Sequence, residues 1–219
     1  MATTKHISED QLIENYRIAL ANVENQPVIA ATMAEYGYDL PVITKGRELL
    51  GATTTAFNFN QQEDNESIQA RANFDAKLSL ITDKYASHRR KAKVVFRKDE
   101  VTLKQLGLTG PYSRVYVKWI VTMKTFYNGV RSNSDHLAKL LVFKITEDEI
   151  SACIAEINAL ETTRALYLKE IGESQEATKA KDKVLAELEE WMSDFYAVAK
   201  IAMEDQPQLL ESLGVLVRS

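Results

Sequence analysis

The chain has 219 residues, 45% hydrophobic and 26% charged, which is enough apolar material to bury a core as one domain or as two small ones. Its formal net charge of −4 gives no overall attraction to nucleic acid or to an anionic membrane, and no apolar run approaches the roughly 20 residues of a membrane helix. With 8 Gly and 4 Pro the composition favours long helices over a turn-rich β fold, and Cys153, the only cysteine, excludes an intrachain disulfide and a cysteine-built zinc site.

The opening MATTKHISEDQ lacks the apolar stretch of a secretory signal, so the expected address is the cytoplasm. A helix is predicted over about Glu9–Asn25, followed by a shorter helical piece. Tyr36-Gly37-Tyr38 comes next, where glycine lets the chain turn. Asp39 is then an N-cap residue, with Pro41 tolerated in the first turn behind it. The capped helix is expected to reach about Gln61, to break at the polar QEDNES, and to give way to a long helix. Thr53-Thr54-Thr55 on the capped helix could line a polar cavity or bond the helix's own carbonyls. A short helix ends at Gly107 in the C′ position.

A second series follows. A helix over Tyr112–Arg131 carries Tyr112, Tyr116, Trp119, Met123 and Tyr127 at helical spacing, a core stripe. After another shorter piece, Thr146-Glu147-Asp148-Glu149 reads as a capping box. That helix is expected to run to about Glu170 and to break at EIGES. Val184, Leu188, Trp191, Phe195, Val198 and Ala202 then mark the apolar face of another long helix, and Gly214 stops a short final one.

The two series match at a constant offset of 107. Ala92 pairs with Ala199 and Gly107 with Gly214, and fifteen gap-free identities fall between positions 23 and 108. The expected architecture is therefore all-α: a helical bundle built from a tandem duplication of a roughly 107-residue unit with pseudo-two-fold symmetry. Residues 1–109 form the first unit and 110–219 the second, packed together around one core. Two side-by-side bundles meeting near Gly110-Pro111 are the alternative. The ending DFYAVAKIAMEDQPQLLESLGV, with the earlier EYGYDLPVI, resembles a family of bacterial all-helical proteins with no assigned function. The resemblance rests on packing and capping residues, so it implies a helical fold and no activity.

No residue is assigned a catalytic role. Facing Glu-x-x-His pairs hold metals in helical bundles, but Thr3, Tyr85 and Asn133 stand three places before His6, His88 and His136. No metal or cofactor is expected. His88 lies inside the apolar arc of Leu78, Ile81, Tyr85, Ala92 and Val95, and its partner at the offset is Phe195. It is a buried titratable group, either a pH-sensitive or ligand-binding one or one simply bonded to a tyrosine hydroxyl. Cys153 aligns with Gly46 on an apolar face and reads as a small buried filler.

Between Lys84 and Lys98 stand seven cations and no acid. Arg89, Arg90, Lys93 and Arg97 share one outward arc and are expected to be largely exposed, since burying four unpaired charges is costly. They are the candidate anion-binding set, or else a solvated flank that offsets the helix dipole. The lack of interleaved aromatics argues against nucleic acid as partner. The leading functional expectation is a non-enzymatic interaction or scaffold protein, with a protein partner or a second copy of itself. A small-molecule binder or enzyme with a site between helices, and a polyanion binder through the basic face, are the alternatives.

Overall fold

Each helix begins where a side chain can satisfy its free amides. In the computed structural model, which describes residues 7–113 and 115–215, the Ser8 side chain accepts from the Gln11 amide and opens α1, Glu9–Asn25. Pro27 starts α2, Pro27–Glu35, and Gly37 turns the chain at φ +86 before Asp39 caps α3, Leu40–Val95. Asp99 caps the short α4, Glu100–Gln105. Then come α5, Tyr116–Arg131, and α6, Ser134–Leu141, the latter capped by Asn133. At Thr146 the capping box is complete: Thr146 Oγ1 accepts from the Glu149 amide and Glu149 Oε2 from the Thr146 amide, both at 3.1 Å. It opens α7, Glu147–Ala202, and a 3₁₀ segment, Pro207–Leu213, ends at Gly214 with φ +81. Among the described residues there is no strand, and no helix is long and apolar enough to cross a membrane.

Three expectations change. α3 and α7 each run 56 residues without a break, through both polar stretches that were expected to interrupt them. Polar residues lower helix propensity by only a few tenths of a kcal/mol each, and neither stretch contains the proline that would break the ladder. The polar side chains have partners instead: Asn60 Nδ2 donates to Thr178 Oγ1 at 3.0 Å, and Ser174 Oγ to Asp64 Oδ1 at 2.6 Å. α5 starts at Tyr116, because Pro111 to Ser113 are irregular, although the Tyr112 ring still packs edge-on against Tyr85 at 5.7 Å. The last helix is 3₁₀ rather than α.

The chain forms two compact units that cut across the sequence halves: residues up to Asp64 join those from Glu173, and Asn65–Gly172 form the other. In unit 1, α1 packs on α2 and on the closing 3₁₀ segment. Its core combines Leu20, Ile29, Met33 and Ile43 with Leu188, Met192, Phe195 and Leu213. In unit 2, α5 packs on α6 and α4, and its core combines Ile81, Tyr85 and Phe96 with Met123, Phe126, Tyr127, Ile150 and Ile157. Each core thus draws on both halves of the sequence, and α3 and α7 each contribute to both.

Candidate functional site

The chemically versatile side chains of unit 2 lie inside its core. His88 on α3 is 7% exposed, and its Nδ1 shares a hydrogen bond of 3.1 Å with the Tyr127 hydroxyl on α5. The Cys153 thiol on α7 interacts with the same hydroxyl, so imidazole, phenol and thiol lie together where three helices meet. Burial holds the His88 pKa below its ordinary value; Glu149 pulls upward, while Lys91 and Lys84 add to the lowering. Burial likewise pushes the Cys153 thiol up and the Tyr127 phenol far up. A cysteine nucleophile needs the opposite, an exposed thiolate beside a cation or a histidine. Cys153 is 2% exposed and meets the imidazole only through a phenol. Beside this cluster, Lys84 on α3 pairs with Glu156 on α7.

The basic face divides. Arg90 and Arg97 are exposed, Arg89 and Lys93 half-buried. Arg89 departs from its expected exposure because the chain beyond α4 folds back over it. Its Nη2 donates to the carbonyls of Leu108 at 3.1 Å and Gly110 at 2.6 Å, and its guanidinium lies 5.5 Å from the centre of the Tyr112 ring. It is a structural clasp, and its charge is spent on backbone oxygens. Lys98 and Lys104, outside the expected set, are exposed on the same stretch of chain. Of the other histidines, His136 is buried with its ring edge-on to Phe96, and His6 lies outside the described residues.

Unit 1 has another chemistry. Trp191 stacks on Phe195 at 5.6 Å, and Tyr38 meets both rings edge-on at 5.7 Å. Gly46 faces this stack so closely that a Cβ there would lie 2.4 Å from the Trp191 ring. The three threonines bond their own helix: Thr53, Thr54 and Thr55 donate to the carbonyls of Leu49, Leu50 and Gly51. A groove of about 530 Å³ opens between α1, α2 and α3, floored by Val23, Tyr38 and Ile43, with the Glu24–Arg47 ion pair at its edge. Lys181, unremarked in the sequence, is buried in a nest of Glu9, Asp182 and the Phe57 ring.

Charge is sorted between the units. Residues 65–172 hold 18 Lys and Arg against 12 Asp and Glu, a formal +6; the remaining residues hold 9 against 19, a formal −10. Counted by sequence halves the sorting vanishes: 14 cations and 14 anions in 1–109, 13 and 17 in 110–219. The signal was present in the sequence, but only the fold says which residues to count together. Compared with known proteins, the chain matches no family model, no curated protein and no solved structure.

Proposed function

We propose that this protein is a non-enzymatic helical interaction protein, working through its surfaces in the cytoplasm. The observation that carries the reading is the turn after α6. Leu141, Val142 and Phe143 stand exposed in succession, Val142 at 80%, and Lys144 closes the turn at φ +56, a left-handed conformation in which a side chain is strained. Strain spent on presenting apolar side chains to water serves contact with a partner rather than folding. In support, His88, Tyr127 and Cys153 are absorbed into packing.

The test is affinity purification of the full chain from its own cells, wild type beside the Leu141→Ser, Val142→Ser, Phe143→Ser triple variant. A partner held by the first and lost by the second is expected. The same set of proteins with both would remove the reading.

A tandem duplication is the proposed origin of the frame. The first-half elements begin at 9, 27, 40 and 100 and the second-half elements at 116, 134, 147 and 207, each pair 107 apart. The unit 1 groove favours a second functional reading, a small apolar ligand seated on Tyr38 beside Arg47. Chemical-shift changes confined to those residues on titration with a fragment set would support it. The surplus of cations in unit 2 favours a third, a polyanion bound electrostatically.

A further inference from the structure

Two helix ends on this chain present one pattern with opposite charge. At the end of α3, in unit 2, Val94 is 53% exposed, flanked by exposed Arg90, Arg97 and Lys98. At the end of α7, in unit 1, Ile201 is 60% exposed, flanked by exposed Ala197, Glu204 and Asp205. The positions correspond one by one at the offset of 107, so an exposed β-branched residue sits in the same place on each helix with cations beyond it in one and anions in the other. Among the described residues none of Arg90, Arg97, Lys98, Glu204 and Asp205 is in a salt bridge. Asp99 and Glu100, the acids that follow Lys98, keep their charge at the start of α4, so the α3 end sets three cations against two anions, whereas Glu204 and Asp205 at the α7 end have no cation beyond them before Gln206 and Pro207. Lys93 and Lys200 carry the same sign and lie beside these faces without contributing to the contrast.

We infer that the two faces recognise each other between molecules: the α3 end of one copy docks on the α7 end of a second copy. This rests on the interaction reading and names the partner as the chain itself. Complementary potentials steer encounter and exclude wrong partners, and the units supply them at a scale of −10 against +6. An apolar residue at the centre of each face and charges at its rim follow the ordinary anatomy of a protein–protein contact. A nucleic acid would use the cations but would have no need of Val94, and the α7 face would repel it. The contact joins two different surfaces, so it closes as a dimer if each copy offers both faces to the other and otherwise extends as a chain.

The experiment is sedimentation equilibrium of the full chain at about 100 μM, in about 0.05 M and about 0.5 M NaCl. The wild type should associate to two or more copies at low salt, with affinity at least roughly tenfold weaker at high salt. Arg97→Glu with Lys98→Glu gives a molecule acidic on both faces, and Glu204→Lys with Asp205→Lys one basic on both. Each alone should associate about a hundredfold more weakly than the wild type. An equimolar mixture of the two should recover a mixed complex. If circular dichroism shows either variant unfolded, the neutral pairs Arg97→Gln with Lys98→Gln and Glu204→Gln with Asp205→Gln replace them, each expected to weaken association. A wild type that is monomeric at low salt, variants that associate as it does, or a mixture that stays apart would overturn the inference. So would a monomer that binds heparin through Arg97 and Lys98, which would assign the face to a polyanion. A monomeric wild type that still loses a cellular partner through Leu141, Val142 and Phe143 keeps the interaction reading and sinks only this one.

Discussion

Where unit 2 places His88, Tyr127 and Cys153, the positions 107 residues away in unit 1 are Phe195, Leu20 and Gly46; where unit 2 has the Lys84–Glu156 pair, unit 1 has Trp191 and Leu49. Unit 2 therefore closes around a polar cluster and unit 1 around an aromatic stack. The two solutions hold a core in different ways. A stack gains by area and dispersion and tolerates some looseness. A buried polar cluster is worth keeping only if each member finds its partner, and it then fixes the helices in one register. Unit 2 adds a second internal polar device, the Arg89 clasp on the Leu108 and Gly110 carbonyls.

The largest expected effect tests the aromatic solution. Phe195→Ala removes a fully buried ring that touches Tyr38, Trp191 and Tyr196, and should cost about 3–5 kcal/mol by chemical denaturation. A loss under about 1 kcal/mol would mean that unit 1 is not held by its stack. Next comes the clasp. Arg89→Ala strands two carbonyls and a stacked tyrosine, and about 1.5–3 kcal/mol should be lost, whereas Arg90→Ala, one residue away and exposed, should stay within about 0.5 kcal/mol. Equal effects at the two positions would return Arg89 to the solvated face.

The turns before α3 and α7 form a third contrast. Gly37 turns the chain at φ +86 in unit 1, and the position 107 residues on is Lys144 at φ +56. Lys144→Gly should therefore stabilise by about 1 kcal/mol, a rise of about 2–4 °C in Tm. If the exposed turn serves a partner, the same change should weaken capture while the melting point rises.

Much of the local structure was legible in the residues. The Ser8 and Asp39 caps, the Thr146–Glu149 box and the left-handed Gly37, Gly107 and Gly214 follow from short-range chemistry, and that chemistry is complete within a few residues. His88 is placed by the apolar arc around it, and a tyrosine hydroxyl is its partner. What could not be read is whatever depends on which segments come together. QEDNES looks like a loop until Asn60 and Asp64 meet Thr178 and Ser174, more than a hundred residues away. Arg89 looks like a surface charge until the chain beyond Gly107 returns to it. The charge sorting is the clearest case, because each unit takes its residues from both halves of the chain.

The polar core of unit 2 should also give the protein an acid-sensitive stability that unit 1 has no residue to supply at the matching site. His88 is neutral when folded, since burial holds its pKa below the ordinary 6.5. The unfolded chain takes up a proton near that pH and the folded chain only at lower pH. This contribution is therefore fully present above about 6.5 and is lost as the pH falls through the folded value. Thermal melts between pH 7.5 and about 5 should show a falling Tm, and His88→Phe, which installs the residue found at 195, should flatten that fall. An unchanged slope in the variant would take the effect away from His88.

The smallest expected effect separates the two helix ends by sign. Glu204 and Asp205 lie just beyond the negative end of the α7 dipole, within a unit of net charge −10, so both the dipole and the surrounding charge disfavour them. Glu204→Lys with Asp205→Lys should raise the stability of the monomer by about 0.5–1 kcal/mol at low salt. Arg97 and Lys98 lie beyond the same end of α3, where the dipole favours them and a unit of +6 disfavours them. Reversing these two should leave stability within about 0.5 kcal/mol, because the two effects oppose. Chemical denaturation at micromolar protein, below any self-association, in about 0.05 M and about 0.5 M NaCl would read both differences. The gain at the α7 end should shrink at the higher salt. A gain that survives it would have to come from new local hydrogen bonds, and equal gains at the two ends would mean that overall self-repulsion outweighs the helix dipole at both.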